Sequence, residues 1–407
     1  MDASSGAIAA TTLVTPGGPG PLRGERAMPV RQIHGGAVAW EEGVITYVGP
    51  AEGLGGVEIE WLEGRTIAPG FVDCHTHLPF VGWRADEFEA RLAGATYRTL
   101  HGGGGIYRSA RLLASASDEE VLEFCRPLLA EMLAHGTTAL ELKTGYGLSV
   151  DGELRQARLA RHLAAEAVQT CTVTLLPCHA VPEGIDREAW VETVCDELIP
   201  TAADEGLADA VDIYVEDIAF SVDDLHAVAE AARRAKLPLR CHADQLGPSE
   251  ATEAAVALGA RSADHLNHIS PSGAAALGEG RTVGVLLPTS TLFLRSAPPD
   301  VRALLDAGAT IAIATDCNPG TSPVVSMPEA IVTACSLYGL TPLEALAAAT
   351  ANPARVLGLE QTHGSLAPGA RADLLVLDGE AFRQVPYRPG HDPVVRTVVG
   401  GKVAWER

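Results

Sequence analysis

Residues Pro69 to His77 read PGFVDCHTH, a Pro-Gly turn followed by a short apolar run that ends in two histidines one residue apart. Alternate side chains of an extended strand share a face, so His75 and His77 are placed to bind one metal ion together. The pattern recurs downstream. Short apolar strands are expected near residues 67–73, 138–142, 172–178, 211–215, 237–241, 261–263, 283–287 and 310–314. Amphipathic helical stretches fall between them, at 118–134, 151–167, 222–234, 249–258 and 301–307. Strand and helix alternating over a span close to ~250 residues predict an α/β fold, a (β/α)8 barrel of the TIM type.

Such barrels do their chemistry at the C-terminal ends of the strands. Here the first strand ends in His75 and His77, the third in His179, the fourth in Glu216, the fifth in His242, the sixth in Asp264 and His265, and the eighth in Asp316. Five of the thirteen histidines therefore fall where a barrel is catalytic. A lone histidine at one strand end reads most simply as a surface or satisfied core residue. His75, His77, His242 and Asp316, each closing an apolar strand, read jointly as the ligands of one divalent metal ion. Three imidazoles and a carboxylate suit Zn²⁺ or Fe²⁺ and leave room for a water. Asp244 and Asp264 are expected, by strand alternation, to face away from these ligands and to serve in ion pairs or loop caps.

On either side of the barrel the sequence changes character. Residues 37–40, 44–48 and 57–62 are short apolar runs between Gly and Pro turns, and 372–377 and 394–403 resemble them, with a Gly400-Gly401 turn. Neither end has enough core to stand alone, so both are expected to build one small β-sandwich domain. The predicted division is 1–66 and 359–407 for the sandwich and 67–358 for the barrel. The first twenty-five residues, rich in Gly, Pro and small side chains, read as a loosely ordered start.

Composition narrows the partners. The 407 residues are 47% hydrophobic and 20% charged, which describes a globular protein rather than a disordered one. Thirty Lys and Arg against fifty-two Asp and Glu leave a net charge of −22, which repels phosphate backbones and anionic lipid, so neither nucleic acid nor membrane is expected as partner. No apolar run approaches the ~20 residues of a membrane span, and no signal-peptide pattern opens the chain, so a cytoplasmic protein is expected. The eight cysteines form no CxxC pair and read as reduced, buried thiols. Cys74, Cys241 and Cys317 each neighbour a candidate ligand, but a strand turns adjacent side chains to opposite faces.

These motifs carry a family resemblance. PGFVDCHTH is similar to the opening barrel strand of the metal-dependent amidohydrolase superfamily, and GARADLLVLD at Gly369 to Asp378 to its returning sandwich segment. Within it the chain resembles the imidazolonepropionase family of histidine degradation over nearly its full length. KTGYG at Lys143 to Gly147, CHAVP at Cys178 to Pro182, CHADQLG at Cys241 to Gly247, SADHL at Ser262 to Leu266 and TDCNPGTSP at Thr315 to Pro323 support it. The resemblance implies hydrolysis of the ring amide of 4-imidazolone-5-propanoate to N-formimino-L-glutamate, and a homodimer. It implies catalytic roles for Asp316, which takes the water proton and passes it to the leaving nitrogen, and for His265, which steadies the developing charge. A metal on His75, His77, His242 and Asp316 would lower the pKa of its water toward ~7.

For the substrate the resemblance implies Arg84 as carboxylate anchor, with Tyr146 and His179 beside it and Asn318, Gly320 and Thr321 holding substrate or product. Without the family Arg84, followed by Asp86 and Glu87, reads as a surface ion pair. Where many members of the family carry HADE, this chain has His242, Ala243, Asp244 and Gln245; an amide can bond a ring nitrogen but cannot act as a base. Lys143 ends the second strand rather than the fourth, where dinuclear relatives carry a bridging lysine, which favours one metal; Glu216 is expected to support the site from behind. The Leu100 to Ile106 stretch, LHGGGGI, lacks the Lys and Ser/Thr of a phosphate loop and reads as a flexible active-site loop. Two other readings stay open: an aminohydrolase removing an exocyclic amine from a heterobase, and a barrel retained as an assembly subunit. Arg84, Tyr146 and His179 discriminate, because a neutral base needs no carboxylate anchor.

Overall fold

The structure, a computed structural model, describes residues 5–24, 26–95 and 104–407. Its strands are β1 (Gly6–Pro16), β2 (Val30–Glu41), β3 (Val44–Pro50), β4 (Glu60–Pro69), β5 (Phe71–Asp73), β6 (Thr137–Lys143), β7 (Thr170–Cys178), β8 (Ala210–Val215), β9 (Arg240–Ala243), β10 (Ser262–His265), β11 (Val283–Leu286), β12 (Ile311–Ile313), β13 (Leu374–Asp378), β14 (Val394–Val399) and β15 (Lys402–Glu406).

Strands β5 to β12 form an eight-stranded sheet in sequence order, every neighbouring pair parallel. A parallel bridge between Thr76 and Cys317, with the His77 N–H donating to the Cys317 carbonyl at 2.8 Å, joins the last strand to the first. The α/β barrel expected from the alternating pattern is thus present, and its seam lies beside the first two histidines. The helices between strands fall within a residue or two of their sequence positions, for example Asp118–Ala134, Val150–Glu166 and Val222–Arg234. Ser117 with Glu120 and Ser221 with Asp224 form capping boxes that satisfy the first free N–H groups of two of them.

The chain ends meet in a seven-stranded sheet of order β15-β14-β13-β4-β1-β2-β3, antiparallel except where β1 runs beside β4. Its far edge returns toward the other: Ile45 donates to the Ala370 carbonyl and Gly369 to that of Ile45, both at 2.8 Å, just before β13 begins. Ile8, Leu13, Val38, Ile45, Ile67, Leu374 and Val376 pack in the core enclosed this way.

Two expectations need correction. The strand read as 67–73 is two strands: Ile67–Pro69 closes β4 in the end sheet, and only Phe71–Asp73 belongs to the barrel, so the boundary after residue 66 falls inside β4. Close packing divides them at Gly70, where a Cβ would overlap Thr138. Within the described residues 5–24 the start of the chain is also more ordered than expected, since Gly6–Pro16 is the strand that joins β2 to β4. Beyond it Gly20 donates to Asn352 Oδ1 at 2.8 Å and Arg23 pairs with Glu344, which ties the segment to the barrel. Among the described residues no helix is long and apolar enough to cross a membrane.

Candidate metal centre and active site

The seam bridge sets His75 and His77 just beyond β5, with His242 on β9, four strands away around the barrel. One ring nitrogen each of His75, His77 and His242, and one atom each of His75, His265 and Asp316, gather within 4.8 Å, all buried. Nε2 of His75 and Nε2 of His77 stand 3.3 Å apart, and Asp316 Oδ1 lies 3.3 Å from His77 Nε2 and 3.6 Å from His75 Nε2. His242 Nδ1 and Nε2 are both buried with no hydrogen-bond partner among the described residues. Ring nitrogens facing one another around a carboxylate, one of them orphaned, suit a shared cation; as a hydrogen-bonded network they are incomplete.

Electrostatics agree. Burial holds the His75 imidazole well below its ordinary pKa, lowers His77 and pushes His265 down to about 3, so the rings are neutral and their lone pairs available. Burial pushes Asp316 upward, but the imidazoles of His77 and His265 beside it outweigh this and leave it below the usual carboxylate range.

His265 (φ 80°) and Asp316 (φ 54°) both sit in the left-handed region, as does Asp244 (φ 52°). Non-glycine residues rarely do, and such turns re-aim a side chain at the end of a strand. This explains why the alternation argument failed for Asp264. Ser262 and Asp264 share the inward face of β10, where Asp264 Oδ2 lies 2.6 Å from His75 Nδ1, and it is His265 that is turned in by its backbone. Asp244 does cap a loop: it accepts from Ser249 N and Oγ at 2.8 Å and from Thr252 Oγ1 at 2.5 Å.

A small cavity opens over the cluster, lined by His77, Arg84, Ile106, Tyr146, His179, Tyr214, His242, Gln245, His265, Asp316, Asn318 and Thr321. Of the sequence-derived substrate residues it thus brings together Arg84, Tyr146, His179, Gln245, Asn318 and Thr321. Arg84 is only 4% exposed, and among the described residues its Nε and Nη1 have no hydrogen-bond partner, the Glu87 carboxylate standing 3.7 Å from Nε. A surface ion pair is excluded by that burial. Gly320 does not line the cavity; it lies against the guanidinium, where a Cβ would overlap the Arg84 side chain, and its N–H donates to Asn318 Oδ1 at 2.9 Å. The same Oδ1 accepts from Thr321 N at 2.7 Å and Thr321 Oγ1 at 3.0 Å, while Asn318 Nδ2 donates to the Asp316 carbonyl at 2.7 Å. The Asn318 amide thereby shapes the loop that carries Asp316.

Tyr146 and His179 are held by a second built loop. Glu153 accepts the N–H groups of Gly145, Gly147 and Leu148, and Gln156 Oε1 accepts those of Gly145 and Tyr146. His179 Nδ1 lies 3.0 Å from the Gly145 carbonyl, and its ring stacks on His77 at 5.1 Å and 20°. Gly145 (φ +118°) is required there, since a Cβ would sit 2.8 Å from His179 Nδ1. Glu216 lies behind the site as expected: its Oε1 accepts from Gln245 N at 2.6 Å and Leu246 N at 2.7 Å, and burial raises its pKa to about 7. Cys74, Cys241 and Cys317 are buried packing thiols. Residues 100–103 of the glycine-rich stretch lie outside the described residues; Gly105–Ser115 forms a helix whose Ile106 reaches the cavity.

Sequence reasoning missed Tyr214 and Ile106 in the lining and a set of charges inside the barrel: Glu141, Asp212 and Arg240. A charged residue at an inward position of an otherwise apolar strand was the available signal.

The sequence model of the amidohydrolase family matches residues 66–404. The imidazolonepropionase of Rhizorhabdus wittichii is 43% identical over 369 residues, 89% of this chain and 92% of that protein. That of Rubrobacter xylanophilus is 43% identical over 397 residues, 95% of each. Among solved structures, an adenosine deaminase from Xanthomonas campestris with bound zinc superposes with a TM-score of 0.71 at 20% identity, covering 98% of this chain and 92% of that one, a likeness of fold.

Proposed function

Because this chain belongs to the amidohydrolase family, and within it to the imidazolonepropionases, we propose that it hydrolyses the ring amide of 4-imidazolone-5-propanoate to N-formimino-L-glutamate, a step of histidine degradation. One observation carries the reading: a buried guanidinium with unpaired N–H groups shares one small cavity with the His/Asp cluster. The one carboxylate near that guanidinium among the described residues, Glu87, stands beyond hydrogen-bond distance at 3.7 Å, and the propanoate arm supplies a close, charge-assisted partner. The exocyclic-amine reading, open on the metal site alone, offers no acceptor to those N–H groups.

His75, His77, His242 and Asp316 would hold one divalent ion, taken here as zinc or iron. When bound it supplies Lewis acidity that activates water at neutral pH. The chain does the rest. Arg84, with Tyr146 and His179 alongside, fixes the arm and so the ring. Gln245 offers its amide to a ring nitrogen and takes no proton. His265, neutral at physiological pH, donates to the carbonyl oxygen as negative charge grows there. Water adds to the ring carbonyl, Asp316 accepts its proton, and the same proton passes to the ring nitrogen as the C–N bond breaks. The new carboxylate forms beside Thr321 and the Asn318 loop. The same reading takes the protein as a cytoplasmic homodimer without nucleic-acid partners, with barrel and sandwich units divided near Gly70 and residue 358.

A substrate comparison tests it. The parent protein should open 4-imidazolone-5-propanoate far faster than an imidazolone lacking the carboxylate; equal kcat/KM for the two would remove the case for the anchor and reopen the exocyclic-amine reading.

A further inference from the structure

Five buried charges inside the barrel have no part in that scheme: Glu141 and Lys143 on β6, Asp212 on β8, Arg240 on β9 and Asp264 on β10. They lie below the cavity and form one continuous chain. From His75 Nδ1 it runs 2.6 Å to Asp264 Oδ2, then 2.7 Å to Arg240 Nη2. Arg240 Nη1 donates to Glu141 Oε1, and Glu141 Oε2 lies 3.2 Å from Lys143 Nζ. Lys143 donates to Asp212 Oδ2, which lies 3.0 Å from His242 Nδ1. Both ends are metal-ligand candidates, His75 reached through a hydrogen bond and His242 through a carboxylate contact in which Nδ1 makes no hydrogen bond of good geometry. At each end a single carboxylate oxygen meets one imidazole Nδ1 and one cation. Arg240 is fixed further by Ser262 Oγ at 3.0 Å, and Glu141 by Thr174 Oγ1.

The chemistry of this pattern is directional. A carboxylate only accepts, so an imidazole nitrogen facing it carries the proton, and the lone pair is left on Nε2. For His75 that nitrogen faces His77 and Asp316; for His242 neither ring nitrogen has a hydrogen-bond partner among the described residues, and Nδ1 is the one that lies beside a carboxylate. The register supports the geometry, since Asp264 pairs with His242 and Ser262 with Arg240 across β9 and β10. Three carboxylates against two cations leave a formal charge of −1 under a site meant for a dication, which a network serving stability alone does not require.

We propose that this buried chain, with Arg240 and Lys143 as its fixed points, positions the metal site by locking His75 and His242 in the Nδ1–H tautomer and holding their Nε2 atoms convergent. The inference rests on the divalent-metal reading. It makes Asp264 and Asp212 positioning residues, and Arg240 and Lys143 the residues that position them.

The test uses the full-length protein and zinc alone. Arg240→Met and Lys143→Met keep most of the side-chain volume, and Asp264→Asn and Asp212→Asn keep the shape while removing the charge. Zinc affinity by chelator competition, histidine ¹⁵N shifts of the zinc-loaded protein and melting of the metal-free protein are read in parallel. The proposal expects each foldable variant to bind zinc ~10- to 100-fold more weakly. It also expects Arg240→Met and Asp264→Asn to disturb the protonated-Nδ1 signature of His75 alone, and Lys143→Met and Asp212→Asn that of His242 alone. Melting that falls while affinity and both signatures stay at parent values would make the network purely structural and overturn the proposal. If the methionine variants fail to fold, the two asparagine variants decide by the same criteria. A parent protein that takes up no zinc overturns the metal reading and this inference with it, whereas a parent that binds zinc beside unaffected variants overturns the inference alone.

Discussion

Arg84 holds a buried guanidinium that makes few of the hydrogen bonds it can donate, so its removal should cost binding rather than fold or metal. Arg84→Ala is expected to raise KM for the carboxylated substrate by the equivalent of about 1.5–3 kcal/mol, roughly 10- to 150-fold, with metal content unchanged. Steady-state kinetics beside metal analysis checks this, and an unaltered KM would show the arm bound elsewhere. Gln245 is argued to bond the ring without carrying a proton. Gln245→Glu should therefore change KM yet leave the pH dependence of kcat as it was; a new ionisation in that profile would move proton transfer to position 245. At this scale the ligands were legible because His75, His77, His242 and Asp316 each close an apolar run. Asp264 was not. Its role depends on His265 taking a left-handed backbone at φ 80°, which nothing in SADHL announces, and on a partner in a strand far away in sequence.

Loops between strands and helices carry most of the site, and each is held by a side chain from a neighbouring element. Glu216, at the end of β8, accepts two backbone N–H groups of the turn after β9. Glu216→Ala leaves both unpaired and should destabilise the fold by about 1–3 kcal/mol, while raising KM through the displaced Gln245; thermal melting and kinetics measure the two effects, and loss of neither would mean the turn holds itself. His135 caps the helix Asp118–Ala134, its Nδ1 3.7 Å from Asp392 Oδ2 and its Nε2 3.8 Å from Glu131, and the Asp392 carboxylate beside it raises its pKa above the ordinary 6.5. A raised histidine pKa contributes stability that is fully present below ~6.5 and is lost as pH climbs through the folded value. His135→Gln should thus lower the melting temperature at pH 5.5, by under ~1 kcal/mol for so open a pair, and leave it unchanged at pH 9. A loss as large at pH 9 would assign the effect to packing. The barrel elements could be read from periodicity, since buried parallel strands are short apolar runs and their helices amphipathic. β1 escaped because GAIAATTLVTP is small and weakly patterned, and it becomes a strand only by pairing with β2 and β4.

Over the whole molecule the two ends of the chain complete one sheet, so the residues that frame the barrel are the first and last to be made. Gly70, where β4 gives way to β5, is the point at which the end sheet is joined to the metal-binding strand. The architecture and the cluster's location were legible because both follow from where apolar runs stop. The charges beneath the cluster were not, because Glu141 and Arg240 meet only once the barrel has closed and are 99 residues apart. The central claim is that this assembly opens a carboxylated imidazolone with a bound divalent ion. The most direct measurement follows ring absorbance of freshly prepared 4-imidazolone-5-propanoate, corrected for its uncatalysed decay, with metal-analysed protein before and after chelation. The account predicts rapid loss of absorbance that chelation abolishes and zinc or iron restores. Decay at the uncatalysed rate with fully loaded protein, or turnover indifferent to chelation after the metal has demonstrably gone, would contradict it.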